Sequence, residues 1–178
     1  MEDLNLTNKK VYLVIAFKDF RDEELLIPKE ILENQGAEVL VVSTELGEAQ
    51  GVLREKVEVD LTIFEMDIAS CDAVVFVGGP GAASLFENPT ALQIAKEAFE
   101  KGKIVAAICI APMILANAGV LKGKNATAFS SLGGKFKELG INYLNEDVVV
   151  SETIITAQDP KNAQAFGEKI ALLLSQRG

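Results

Sequence analysis

Ile104-Val105-Ala106-Ala107-Ile108-Cys109-Ile110-Ala111-Pro112 joins an unbroken apolar run to a cysteine and then to a proline-led helix start. Such a run, with no polar residue inside it, reads as a strand buried on both faces. Two others match it: Val11 to Phe17 and Ala73 to Val77. Helical patterns lie between and around them. The first is predicted from Asp22, as cap, to about Asn34, with Gly36 just beyond its end. Pro28 is expected to kink or restart it. Pro89 opens a second, with Ala91, Ile94, Ala95, Ala98 and Phe99 on one face. A third starts near Ala111 or Pro112 and ends near Gly119. Asp159-Pro160 opens the last, with Ala163, Phe166, Ile170 and Leu173 or Leu174 inward. Shorter strands are expected at Val39 to Val42, Ala126 to Phe129, Val148 to Val150 and Thr153 to Ala157. This alternation predicts an α/β fold with a mostly parallel sheet and helices on both faces. It forms a single domain over residues 10–178, preceded by a loose tail at 1–9. Residues 44–66 are irregular and read as a hairpin or a flap.

The chain has 178 residues, 49% hydrophobic and 24% charged, which excludes a disordered or fibrous protein. Its 17 basic and 26 acidic residues leave a net charge of −9, which disfavours a nucleic-acid backbone. The densest basic stretch, Lys122, Lys124, Lys135 and Lys137, is interrupted by glycines and polar residues. No apolar run approaches the roughly 18 residues of a membrane span, and the polar start shows no signal peptide. The expectation is a cytoplasmic protein with no membrane or nucleic-acid partner. Cys71 and Cys109 are too few for a disulfide framework and read as free thiols. Histidine is absent, which removes His-dependent triads and His-ligated zinc. No metal or cofactor is expected.

Three strand ends carry unusual loops, and a parallel sheet puts them on one edge. At the first, Cys109 sits where a nucleophile elbow places its serine, with Ala107 and Ala111 in place of glycines. Small neighbours suit a strained turn, and the helix start offers N–H groups that favour a thiolate, so a lowered thiol pKa is expected. The plainer alternative is a buried structural cysteine. Cys71, at the opposite edge, reads as structural. The second loop is Lys18-Asp19-Phe20-Arg21-Asp22-Glu23-Glu24. Its acids argue against phosphate binding. Either one carboxyl turns inward beside Cys109, protonated by burial, or all are solvated caps. The third, Gly78-Gly79-Pro80-Gly81, lacks dinucleotide spacing. It is either a plain turn or a close-approach loop whose Gly79 N–H completes an oxyanion hole with the Ile110 N–H.

Ala106 to Pro112, the Gly78-Gly79 loop and Glu24-Leu25-Leu26-Ile27-Pro28 together resemble the ThiJ/PfpI superfamily, over nearly the whole chain from Lys10 to about Leu174. The resemblance implies a flavodoxin-like three-layer sandwich, related in fold to class I glutamine amidotransferases, and a homodimer or higher oligomer. It maps the elbow cysteine to Cys109, a protonated glutamate four residues before a proline to Glu24, and the oxyanion amides to Gly79 and Ile110. Two departures stand out. Ile110 replaces the histidine of the protease-like members, and Phe129 occupies the region where other members carry one.

Three functions follow in order. The first is an enzyme of the glyoxalase or deglycase type, acting on small reactive carbonyls or glycated adducts through Cys109 and Glu24. The second is a redox sensor or stress chaperone in which Cys109 is oxidised. The third, an intracellular protease, lacks the histidine base.

Overall fold

The computed structural model describes residues 2–178. In chain order the strands and helices are β1 (Lys10–Val14), β2 (Lys18–Phe20), α1 (Asp22–Asn34), β3 (Glu38–Ser43), β4 (Gly47–Gly51), β5 (Lys56–Val59), β6 (Leu61–Thr62), β7 (Ala73–Phe76) and α2 (Pro89–Glu100). They continue with β8 (Ile104–Ile108), α3 (Pro112–Asn117), β9 (Asn125–Ala126), α4 (Gly133–Glu138), β10 (Asn142–Tyr143), β11 (Val148–Ser151), β12 (Ile154–Ala157) and α5 (Ala163–Ser175).

The main sheet is seven-stranded, in the order β11-β12-β8-β7-β1-β3-β6. Every pairing in it is parallel except β11 with β12. The unbroken apolar runs account for this, because each strand fills two cores. Val11, Leu13, Val75 and Ala106 face a core closed by α1 and α5, through Leu25, Ile31, Phe166 and Ile170. Tyr12, Val14, Val74, Phe76 and Val105 face the other, closed by α2, α3 and α4. The result is the expected three-layer arrangement. Gly167 lets α5 cross α1 closely: a Cβ there would stand 3.0 Å from Pro28 Cα.

Several local expectations change. Pro28 does not break α1, which runs unbroken to Asn34 with Gly36 at φ +96° beyond it. Asp22 is not the solvent-facing cap. Arg21 holds that position, and Asp22 is buried inside the first turn, accepting from Leu53 N–H (2.7 Å) and Glu55 N–H (2.9 Å). It thereby ties down the hairpin formed by β4 and β5, which together with β2 makes a small sheet from the irregular 44–66 region. The expected strand to Phe129 ends at Ala126, and Phe129 instead begins a 3-10 turn. The segment before β1 is docked, not loose. Leu6 is fully buried and its N–H donates to Gln35 C=O at 2.6 Å. Among the described residues no helix is long and apolar enough to cross a membrane.

A buried leucine in the docked segment supports the core beneath α1. Leu6→Ala is expected to lower the unfolding free energy by about 2–4 kcal/mol, measured by urea denaturation. A change below about 0.5 kcal/mol would mean that the segment only rests on the surface.

Candidate active site

The neighbouring strands β8, β7 and β1 end side by side, and their loops converge. The elbow after β8 holds Cys109 at φ +63°, in the left-handed region that side chains rarely adopt. Such a conformation costs on the order of 1–3 kcal/mol and persists only where neighbours enforce it. Here Cys109 N–H donates to Ala157 C=O at the end of β12 (3.0 Å), and Cys109 C=O accepts from Phe129 N–H (2.7 Å). Ala107 and Ala111, both fully buried, leave room for the turn. Cys109 as a residue is 9% exposed and lines a cleft.

Glu24 comes from the first turn of α1 and is 0% exposed. Its Oε2 accepts from Gly78 N–H at 3.0 Å. Its Oε1 is buried without a well-aligned partner, although the carboxyl lies within interaction range of Cys109 Sγ. An unpartnered buried oxygen disfavours the carboxylate and suits a protonated acid. Burial accordingly pushes the Glu24 carboxyl up to about 8, against a partial pull from Gly78 N–H.

The glycine loop is a close-approach loop. A Cβ on Gly78 would stand 2.6 Å from Glu24 Oε2 and 2.8 Å from Cys109 Cβ. Gly79 has φ +101°, and a Cβ there would collide with Arg21 N. A Cβ on Gly81 would collide with Lys18 C=O. Arg21 N–H also donates to Gly78 C=O at 2.9 Å. The N–H groups of Gly79 and Ile110 lie near enough to the Cys109 thiol to draw its pKa down, and among the described residues neither is taken by a backbone carbonyl.

These amides pull the thiol pKa down, as expected from the elbow. Burial and the neighbouring Glu24 outweigh them and push the thiol up to about 12, so the expected lowering is not found. Thiol and carboxyl form one coupled unit. When Glu24 is neutral its charge no longer opposes a thiolate, and the two amides then favour the charge on sulfur.

The cleft above Cys109 has a volume of about 320 Å³. Ile110, Phe129, Pro80 and Pro160 wall it, and Arg21 stands at its mouth. Arg21 is held by Glu23 through two bonds, Nε to Oε2 at 2.7 Å and a terminal nitrogen to Oε1 at 3.0 Å. Sequence reasoning passed over Arg21, Pro80 and Pro160, because only the folded sheet edge brings them to Cys109. Cys71 lies at the amino end of β7, with burial pushing its thiol up to about 11. Among the described residues no cluster of three His, Cys, Asp or Glu could hold a metal ion.

A parallel three-layer fold whose central strand runs into a cysteine elbow, with a buried acid beside it, defines a class of α/β proteins built around that elbow. The chain belongs to the DJ-1/PfpI family, whose model matches residues 9–172. An uncharacterized protein of Methanocaldococcus jannaschii is 42% identical over 93% of this chain and 82% of its own length. The deglycase PfpI of Pyrococcus furiosus is 33% identical over 91% of this chain and 98% of its own. The crystal structure of a ThiJ/PfpI domain protein from Brachyspira murdochii superposes with a TM-score of 0.93 at 35% identity, covering 97% of this chain and 99% of that one.

Glu24 is expected to make stability depend on pH. Burial favours its protonated form, so this contribution is full below the ordinary 4.5 and is lost as the pH rises through about 8. Glu24→Gln removes the titration. The melting temperature of wild type should therefore fall relative to that of the variant between about pH 5 and about pH 9. A constant gap across that range would show that the carboxyl ionises normally.

Proposed function

We propose that the protein converts reactive 2-oxoaldehydes to 2-hydroxy acids, with Cys109 as nucleophile and Glu24 as the proton carrier. The observation that carries this reading is the convergence on one thiol of a buried acid and two free backbone N–H groups. The deglycase name of the Pyrococcus furiosus relative supports the glycated-adduct side of this reading.

Cys109 Sγ adds to the aldehyde carbon, and the thiol proton passes to the new oxygen, giving a hemithioacetal. The Gly79 and Ile110 amides are placed to stabilise the oxyanion as it forms. Glu24, as carboxylate, then takes the hydrogen of the sulfur-bearing carbon as a proton and returns it to the adjacent ketone carbon, while the hemithioacetal hydroxyl proton passes to the former ketone oxygen, leaving a thioester carbonyl beside a new hydroxyl. The first carbon is oxidised and the second reduced, so no external electron carrier is needed. The product is a 2-hydroxy thioester. Water cleaves it, releasing the 2-hydroxy acid and restoring the thiol. Hydrolysis of early glycation adducts would use the same nucleophile and amides. A Cys-His protease pair cannot be assembled from this chain, which has no histidine.

The reading extends to a cytoplasmic setting, where the thiol stays reduced, and to a homodimer or higher oligomer. Leu46, Leu53 and Phe64, all strongly exposed, are the apolar surface available for self-association.

Methylglyoxal turnover in thiol-free buffer tests the reaction. Cys109→Ser and Glu24→Gln should each lower the rate by about 10²-fold or more, and an unchanged rate in either variant would overturn the assignment. The wild-type rate should rise with pH through about 8, as the pair loses its first proton. A rate that stays flat across that point would remove Glu24 from the proton transfer.

A further inference from the structure

The walls of the cleft carry information that the reaction itself does not use. We infer that the cleft is a recognition site for aromatic and bulky apolar carbonyl compounds, with Phe129 as its specificity-determining residue. The inference rests on the proposed reaction for its chemistry, but its binding surface stands independently.

Phe129 is 40% exposed, and its ring lines the cleft that opens onto Cys109. Ile110 lines it too, and two prolines complete the walls. None of these side chains offers a hydrogen-bond donor or acceptor. A polar group set against these four side chains would lose water and gain no hydrogen bond, since the polar partners of the cleft are confined to Arg21 and to the Gly79 and Ile110 amides beside the sulfur. The volume of about 320 Å³ falls at the lower end of small-molecule pockets, roughly 300–1,000 Å³. A three-carbon aldehyde bound at the sulfur leaves most of that wall uncovered, whereas an aryl group can lie against it.

The wall is also fixed. Phe129 N–H is bonded to Cys109 C=O at 2.7 Å, so ring and nucleophile share one backbone anchor. One residue earlier, Ala128 C=O accepts from Tyr143 O–H at 3.1 Å, and Gln158 Nε2 donates to that same Tyr143 oxygen at 3.2 Å. With the backbone on both sides anchored, the ring is carried at a fixed point of the wall, where it offers a face for stacking. Glu23 offsets the charge of Arg21 and takes two of its five N–H donors, which weakens the cleft as an anion site. The planar group of Arg21 at the mouth instead adds a second surface on which an aryl ring can stack.

The test compares kcat/KM for phenylglyoxal and methylglyoxal. Wild type should favour phenylglyoxal by about tenfold or more. Phe129→Ala should collapse that ratio and Phe129→Tyr should restore it. A merely structural role for Phe129 would lower both substrates together and leave the ratio intact. Partial exposure of the ring makes the variants foldable. A second readout needs no turnover: acetophenone, an aryl ketone without the aldehyde, should slow alkylation of Cys109 by iodoacetamide in wild type but not in Phe129→Ala. Protection of that kind without turnover of either aldehyde would uphold the aryl site and overturn the proposed reaction. A wild-type ratio near one would overturn the aryl site and leave the reaction standing. Absence of protection, or equal protection of both proteins, would also overturn the aryl site.

Discussion

The hydrogen bond from Gly78 N–H to the carboxyl of Glu24 is the contact on which the site depends. It joins the end of β7 to the first turn of α1, beneath the elbow that follows β8. A side chain on Gly78 would strike both Glu24 and Cys109, so this residue sets the distance between acid and thiol. The next glycines do the same for the backbone. Gly79 and Gly81 nest against the Lys18–Arg21 segment so closely that no Cβ fits. The three loops are therefore fitted to one another at close contact, which sets where the Gly79 and Ile110 amides lie relative to the thiol.

Electrostatics follow from that closeness. A carboxyl and a thiol buried side by side cannot both be ionised without severe repulsion. The two backbone amides favour charge on sulfur, and the Gly78 amide favours charge on the acid. The acid takes the charge first, at about 8 against about 12 for the thiol, and this happens at the floor of an apolar cleft where each dipole acts with little screening. Removing histidine from such a site leaves the pair as its own proton reservoir.

The sheet was legible because a strand buried on both faces has no choice but to be apolar throughout. The elbow was legible because a cysteine between a strand and a proline-led helix, with alanines on either side, has few other uses. Other features depend on tertiary neighbours. Asp22, Glu23 and Glu24 are consecutive acids in one turn, and a shift of the helix start by one residue changes which of them points inward. Residue pattern alone could not choose; family resemblance singled out Glu24, and the burial of Asp22 beneath the hairpin was not foreseen. Leu6 lay hidden in a polar stretch. The sign of the thiol shift is not legible in the sequence, because the amides are local and visible there, whereas the burial and the acid that outweigh them arrive from elsewhere in the chain. The helix α4 begins with Gly133-Gly134, residues that discourage helices, and it rests on Phe136 in the core.

The positive φ of Cys109 has an evolutionary consequence. Glycine or asparagine would sit at this point of the backbone with less strain than cysteine. The fold would gain stability by exchanging this thiol for either, so chance substitution at this one position is rewarded by folding. A lineage that ceased to need the thiol would drift away from it downhill. The cysteine at the elbow is therefore a residue that the backbone holds against its own conformational preference.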